Sequence, residues 1–372
     1  MLREEIAQLF VFGFDGTSLP SDAQALLQQN AGGVILFGRN IEETHQLVSL
    51  ITEIHSSHIT ADFPLISVDQ EGGRVQRLKD ICTWVPTMAE VGDAAHEDGS
   101  IPYRLGALMG RELATLGFHL DFTPVMDVNS NPDNPVIGER SFSHDPMWVA
   151  QCGAELIKGM QGAGVSACAK HFPGHGDTAL DSHYALPVLH HTIDRLQKIE
   201  WPPFEAAIHA GVATIMTAHV LFPALDKDRP ATLSSRILKE ILIQKMKFQG
   251  LIFSDDLEMK ALADHHSLED MVYNGLCAGV DIFLICKDTK WTEEAISIAH
   301  RLVENGDVPV ERVKQSLNKI AAWKQKYVGQ AEPPNLEEIK AVVQCPPHLQ
   351  WMSSWNSGPE PQQHRQYSPV DD

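Results

Sequence analysis

No apolar run in this chain of 372 residues approaches the roughly 18 residues a membrane span requires. The amino terminus carries Glu4 and Glu5 where an export signal needs basic charge ahead of an apolar block. Cations are scarce as well: 29 Lys and Arg stand against 49 Asp and Glu, a formal charge of −20 at pH 7. A field of that sign repels phosphate backbones and anionic lipid, so neither nucleic acid nor a membrane surface is expected as a partner. The six cysteines include no Cys-x-x-Cys pair and sit mostly among apolar residues. They read as reduced core thiols and, with the acidic amino terminus, lead to the expectation of a cytoplasmic protein. Neither GxGxxG nor GxxxxGK[ST] occurs, so no nucleotide-binding turn is indicated. No internal repeat is visible.

What the chain does have is a recurring alternation. Eight short apolar runs, Leu9–Phe14, Gly33–Phe37, Leu65–Asp69, His119–Asp127, Val165–His171, Thr214–His219, Leu251–Asp255 and Asp281–Cys286, are separated by helical patterns. In Tyr103–Leu116 the residues Leu105, Leu108, Met109, Leu113 and Leu116 mark one helical face. Ser267 followed by Asp270 opens another helix with a capping-box pattern. Such alternation predicts an α/β protein, and this number of strands favours a (β/α)8 TIM-type barrel over a doubly wound sheet. The expected organisation is a single catalytic barrel over 1–329 followed by an irregular tail over 330–372, whose Pro, Gln, Ser and His content reads as mobile. Trp351 and Trp355 in that tail suggest a docking alternative.

Catalytic groups of such barrels come from the carboxyl ends of strands. Five of the runs end in ionisable residues: Asp69-Gln70-Glu71, Asp127, Lys170-His171, His219 and Asp255-Asp256. Five such ends around one rim would be costly to desolvate unless they served a ligand. The densest stretch is Lys170-His171-Phe172-Pro173-Gly174-His175-Gly176-Asp177-Thr178, followed by Asp181-Ser182-His183. Its glycines and proline exclude a helix, so His171 and His175 are not a zinc-binding helical pair. If 181–183 is extended, Asp181 and His183 project to the same side and the carboxylate can hold the imidazole; a plain loop salt bridge would use the same spacing. Strand alternation lets only one of Asp255 and Asp256 point into the rim, and Asp255 lies closer to the strand body. His219 reads more readily as a structural histidine. No phosphorylated ligand is indicated by Cys286-Lys287-Asp288-Thr289 after the last run.

The stretch 170–183 and Phe253-Ser254-Asp255-Asp256-Leu257-Glu258-Met259 together resemble glycoside hydrolase family 3, in particular its β-N-acetylglucosaminidases of peptidoglycan recycling. Val68–Arg74, Phe122–Asp127 and Ile137–Phe142 extend the resemblance, which runs from about Leu9 to Tyr327. It implies that Asp255 is the nucleophile and that His183 with Asp181 forms the general acid/base dyad. It further implies that Asp69, Arg140, Lys170 and His171 hold the terminal sugar. The resemblance is to members with one barrel and no second domain. The implied reaction releases terminal N-acetylglucosamine with retention, through a covalent glycosyl-aspartate, without metal or cofactor. The implied partner is a β-linked N-acetylglucosaminide from cell-wall fragments; oligomeric state is not legible. Arg74, Arg77, Arg140 and Lys170 are expected to make the mouth less negative than the body.

Three rivals have sequence-level discriminators. A metal-dependent barrel hydrolase needs His-x-His on the first strand, which Leu9–Phe14 lacks. A phosphorylase would resolve the same intermediate with phosphate, and a histidine acid/base would not repel that dianion as a carboxylate would. A non-catalytic sugar-binding barrel would have lost the nucleophile or the dyad, and both are present.

Overall fold

The computed structural model describes residues 1–58, 63–178, 186–329 and 333–355. Eight parallel strands close into a barrel: β1 Phe10–Phe12, β2 Gly33–Leu36, β3 Leu65–Val68, β4 Leu120–Asp121, β5 Ser166–Phe172, β6 Thr214–Thr217, β7 Leu251–Asp256 and β8 Ile282–Ile285. Each pairs with its sequence neighbours, and β1 meets β8 to close the ring, with Phe10 opposite Phe283 and Phe12 opposite Ile285. All eight anticipated runs are therefore strands. Their bodies are mostly apolar because helices cover one face while the other fills the barrel interior, and the polar residues gather toward the strand ends. Inside, the Phe122 and Phe253 rings meet edge to face at 5.5 Å.

Strand β4 is much shorter than the run His119–Asp127. Pro124 has no N–H to give to a ladder, yet the chain stays beside β5, with Lys170 N donating to Pro124 O at 3.2 Å and Met126 N donating to Lys170 O at 2.6 Å. This irregular stretch carries Asp127 to the rim.

The helices that matter below are α1 Ile101–Thr115, α2 Pro146–Gly162, α3 Trp201–His209, α4 Leu268–Ala278, α5 Val310–Tyr327, α6 Leu336–Val342 and α7 Pro346–Trp355. α1 and α4 are the two anticipated helices, and Ser267 Oγ accepts from Asp270 N at the start of α4. α5 seals the amino end of the barrel. Its Trp323 Nε1 donates to Ser166 Oγ, its Lys324 Nζ to Gln8 Oε1, and Arg312 and Lys319 grip the buried Asp281 before β8. No helix among the described residues is long and apolar enough to cross a membrane.

Residues 333–355 depart from the expectation of a mobile tail. Ile339 of α6 and Met352 of α7 are buried. Gln344 N donates to Glu112 Oε1 at 2.9 Å and His348 Nδ1 lies 2.8 Å from the same oxygen. Pro346 and Pro347 stand at the start of α7, where the first N–H groups need no intrahelical partner.

Candidate active site

Strand β3 is buried along its whole length and delivers Asp69, Gln70 and Glu71 to the rim, where residues 70–72 and 75–76 fold back as a short antiparallel hairpin. Extended chain places residues i and i+2 on one side, and here Asp69 and Glu71 share a cation. Lys170 Nζ, from β5, lies 2.7 Å from Asp69 Oδ1 and 2.5 Å from Glu71 Oε1. On the other side of Glu71 stands Arg140, at the end of the turn Gly138–Arg140, with Nε donating to Oε2 and Nη2 to Oε1, both at 2.7 Å. Burial alone would push the Glu71 carboxyl up, but Arg140 and Lys170 outweigh it and hold Glu71 well below the usual carboxylate range. Burial and Arg140 would lower the Lys170 ammonium, but Asp69 and Glu71 outweigh them and hold it protonated.

Arg140 and Lys170 are matched by Glu71 and Asp69, so neither stands as an uncompensated cation at the mouth. Arg74 Nη2 donates to Val136 O at 2.5 Å, and Arg77 lies over the Phe37 ring at 5.5 Å.

Beside the cradle, Asp127 Oδ2 is 2.8 Å from His171 Nδ1, and its Oδ1 accepts from His175 N at 2.6 Å. The carboxylate fixes the imidazole as the Nδ1–H tautomer. Burial raises the Asp127 carboxyl, yet the two histidines outweigh that and lower it overall. His175 is held neutral: burial, then His171, bring it to about 4, opposed by Asp127 and by Asp255. The backbone here requires glycine. A Cβ on Gly176 would stand 1.8 Å from Val128 O, so only glycine lets the loop lie against the chain leaving β4.

At the end of β7 the two aspartates separate as alternation demands. Asp256 Oδ1 is taken by Glu258 N and Cys286 N, both at 3.1 Å. Burial, with Glu258 nearby, raises the Asp256 carboxyl to about 7. Asp255 Oδ1 accepts from Asp256 N at 2.9 Å, and its charge acts on both His175 and Cys286. His219 has Nδ1 at 2.8 Å from Thr232 Oγ1 and Nε2 at 2.8 Å from Asp256 O, a structural tie between β6 and β7.

The structure thus brings Asp69, Arg140, Lys170, His171 and Asp255 to one rim. Asp181 and His183 lie outside the described residues. Sequence reasoning did not single out Glu71, the anion between Arg140 and Lys170, or His175, which joins Asp127 to Thr178 through its own Nδ1 contact at 2.8 Å. The spacing of Asp69 and Glu71 was the available signal for the first.

A family model described as the glycosyl hydrolase family 3 N terminal domain matches residues 1–322. The chain belongs to that family. It is 35% identical over 334 residues to the beta-hexosaminidase A of Pseudoalteromonas piscicida, covering 83% of this chain and 56% of that one. The beta-hexosaminidase of Hydrogenovibrio crunogenus is 38% identical over 285 residues, 76% of this chain and 79% of the relative. Among solved structures, a family 3 beta-N-acetylglucosaminidase from a Paenibacillus species superposes with a TM-score of 0.85 at 37% identity, covering 89% of this chain and 64% of that one. The chain therefore spans just over half of one of these relatives and most of another.

Proposed function

We propose that the protein is a retaining exo-β-N-acetylglucosaminidase acting on cell-wall fragments in the cytoplasm. The observation that carries this reading is the compensated cradle: Asp69 and Glu71 fixed by Lys170 and Arg140, with Asp127 orienting His171, on the rim that also holds Asp255. Paired charges of this kind offer hydroxyl groups both donors and acceptors in fixed directions. The hexosaminidase relatives favour an N-acetylhexosamine as the sugar held there.

In the proposed reaction an Asp255 carboxylate oxygen attacks the anomeric carbon as the bond to the leaving oxygen breaks. His183 gives its proton to that oxygen, and Asp181 stabilises the imidazolium and its orientation. Water then attacks the glycosyl-aspartate from the vacated side, gives its proton to His183, and releases the sugar with its original anomeric configuration. The catalytic unit proposed is the barrel over 1–329.

A product assay on a disaccharide–peptide cell-wall fragment and on chitobiose, with and without phosphate, tests the reading. Free β-N-acetylglucosamine in either buffer supports it, and the sugar 1-phosphate as product would overturn hydrolysis. His183→Ala should retain far more first-step activity on a nitrophenyl glycoside, whose leaving group needs no proton, than on a disaccharide.

A further inference from the structure

Strand β4 ends in a carboxyl group that the reaction above does not use. Asp121 is wholly buried and pairs in the barrel ladder with Val68, the residue before Asp69, on one side and with Ala167 of β5 on the other. Its Oδ1 accepts from Gln70 N at 2.9 Å. That bond fixes the backbone of the residue between Asp69 and Glu71, the two carboxylates of the cradle. Gln70 Oε1 accepts in turn from Leu78 N at 3.1 Å, so the turn is held from two directions.

The cations of the cradle are engaged elsewhere. Lys170 Nζ is 2.7 Å from Asp69 and 2.5 Å from Glu71, and Arg140 takes both oxygens of Glu71. Two cations thus match two carboxylates, and an ionised Asp121 would be a third anion. Among the described residues its Oδ2 has no hydrogen-bond partner. A carboxyl buried without a cation of its own takes up a proton rather than stay charged in a dry interior. Burial pushes the Asp121 carboxyl well above the usual carboxylate range, and Asp69 and Glu71 add to the rise against the Gln70 N–H and Lys170. The Cys82 and Cys168 thiols, which also feel Asp121, are themselves raised by burial and supply no cation.

We propose that Asp121 is a neutral carboxylic acid beneath the cradle and a positioning residue for Asp69 and Glu71. The second part rests on the reading that the cradle holds the sugar. The carbonyl oxygen of a neutral acid accepts the Gln70 N–H as a carboxylate oxygen would, but it adds no third negative charge to draw Lys170 from Asp69 and Glu71. The proton therefore keeps the anchor and leaves the charge balance of the cradle intact. The ordinary aspartate value is about 3.9. Above it the folded chain holds a proton that the unfolded chain has released, so this group subtracts from stability increasingly as pH rises. Asparagine offers the same carbonyl oxygen and does not titrate.

The test compares Asp121→Asn and Asp121→Ala with the parent. The unfolding midpoint of Asp121→Asn should gain on that of the parent progressively from about pH 5 to about pH 7. An infrared difference spectrum at about pH 7 should show the carbonyl stretch of a protonated carboxylic acid in the parent alone. On 4-nitrophenyl N-acetyl-β-glucosaminide, Asp121→Ala should raise KM at least about tenfold with less than about threefold change in kcat, and Asp121→Asn should restore KM to within about twofold of the parent. Asp121→Leu, which lacks an acceptor and leaves less of a void, serves the same comparison if the alanine variant does not fold. Absence of the infrared band, or a midpoint difference that stays flat or shrinks with pH, would overturn the neutral acid. An unchanged KM without the acceptor, or no rescue by asparagine, would overturn the positioning role. Should Asp69→Asn leave KM unchanged, the reading of the cradle as the sugar site fails, while the infrared and pH results on Asp121 stand.

Discussion

Arg140 holds Glu71 through two parallel hydrogen bonds of 2.7 Å, so the arginine assigned to the sugar has a full-time partner inside the protein. Glu71 is almost wholly buried and also meets Lys170. Its removal would leave two cations in a dry site with one carboxylate, Asp69, between them. Breaking a buried pair from one side costs about 3–5 kcal/mol. Glu71→Gln should therefore lower unfolding free energy by about that amount and raise KM, measured by urea denaturation and steady-state kinetics. A change below about 1 kcal/mol would mean that water already screens the cradle.

The two aspartates of β7 should separate cleanly in function. Asp255→Asn is expected to lose orders of magnitude in kcat, because it removes the carboxylate proposed as the nucleophile. Asp256 uses Oδ1 to accept two backbone N–H groups, and an asparagine oxygen can do the same. Asp256→Asn should therefore keep most activity. A fluorinated glycoside that slows the second step should label Asp255; a labelled Asp256 would reverse the assignment.

How far the sequence reached is clear from particular residues. All eight strands were legible because burial on both faces makes them apolar runs with turn residues between them. The cradle was legible only in part: Lys170, Asp69 and Arg140 stood out in motifs, whereas Glu71 sits in a Gly-rich turn and its partner is 69 residues away. The tail was misread for a local reason. Its Pro, Gln, Ser and His content reads as mobile, but Asn335 caps α6 by accepting from Glu337 N and Glu338 N, and Glu112 and Arg104, which His348 and Trp351 meet, lie on α1, far off in the sequence.

Three buried histidines give stability a definite pH dependence. Burial brings His55 to about 4 and His119 to about 3, and burial with His171 brings His175 to about 4. Their ordinary value is near 6.5, so between pH 6.5 and 4 the unfolded chain binds protons that the folded chain does not. Stability is therefore fully present above about pH 6.5 and is lost as pH falls toward 4. Among the described residues neither ring nitrogen of His55 has a hydrogen-bond partner, and the ring packs between Phe63 and His119. His55→Phe should thus be near neutral at pH 7.5 and more stable than the parent by on the order of 2 kcal/mol at pH 4.5. Parallel pH profiles of the two unfolding midpoints would refute this.

Cutting the chain after Gly329 should cost stability and spare chemistry. The cut removes Ile339 and Met352 from their buried positions, the Trp351 ring from its place 4.4 Å from the Arg104 guanidinium, and the His348 and Gln344 contacts to Glu112. Glu112 would keep Thr83 N and Thr83 Oγ1 as donors but lose the Gln344 N–H and the His348 ring. Loss of two buried apolar side chains and a cation–π contact is worth about 4–8 kcal/mol before relaxation. Glu112 and Arg104 lie on α1, outside the cradle of Asp69, Glu71, Lys170 and Arg140. Truncation should therefore lower the midpoint of thermal unfolding by several degrees, about 2–4 °C per kcal/mol for a chain of this size or somewhat less, with kcat/KM per folded molecule unchanged. An unaltered midpoint would restore the reading of 330–372 as an appendage, and a fall in kcat/KM at full folding would tie the two helices to the site itself.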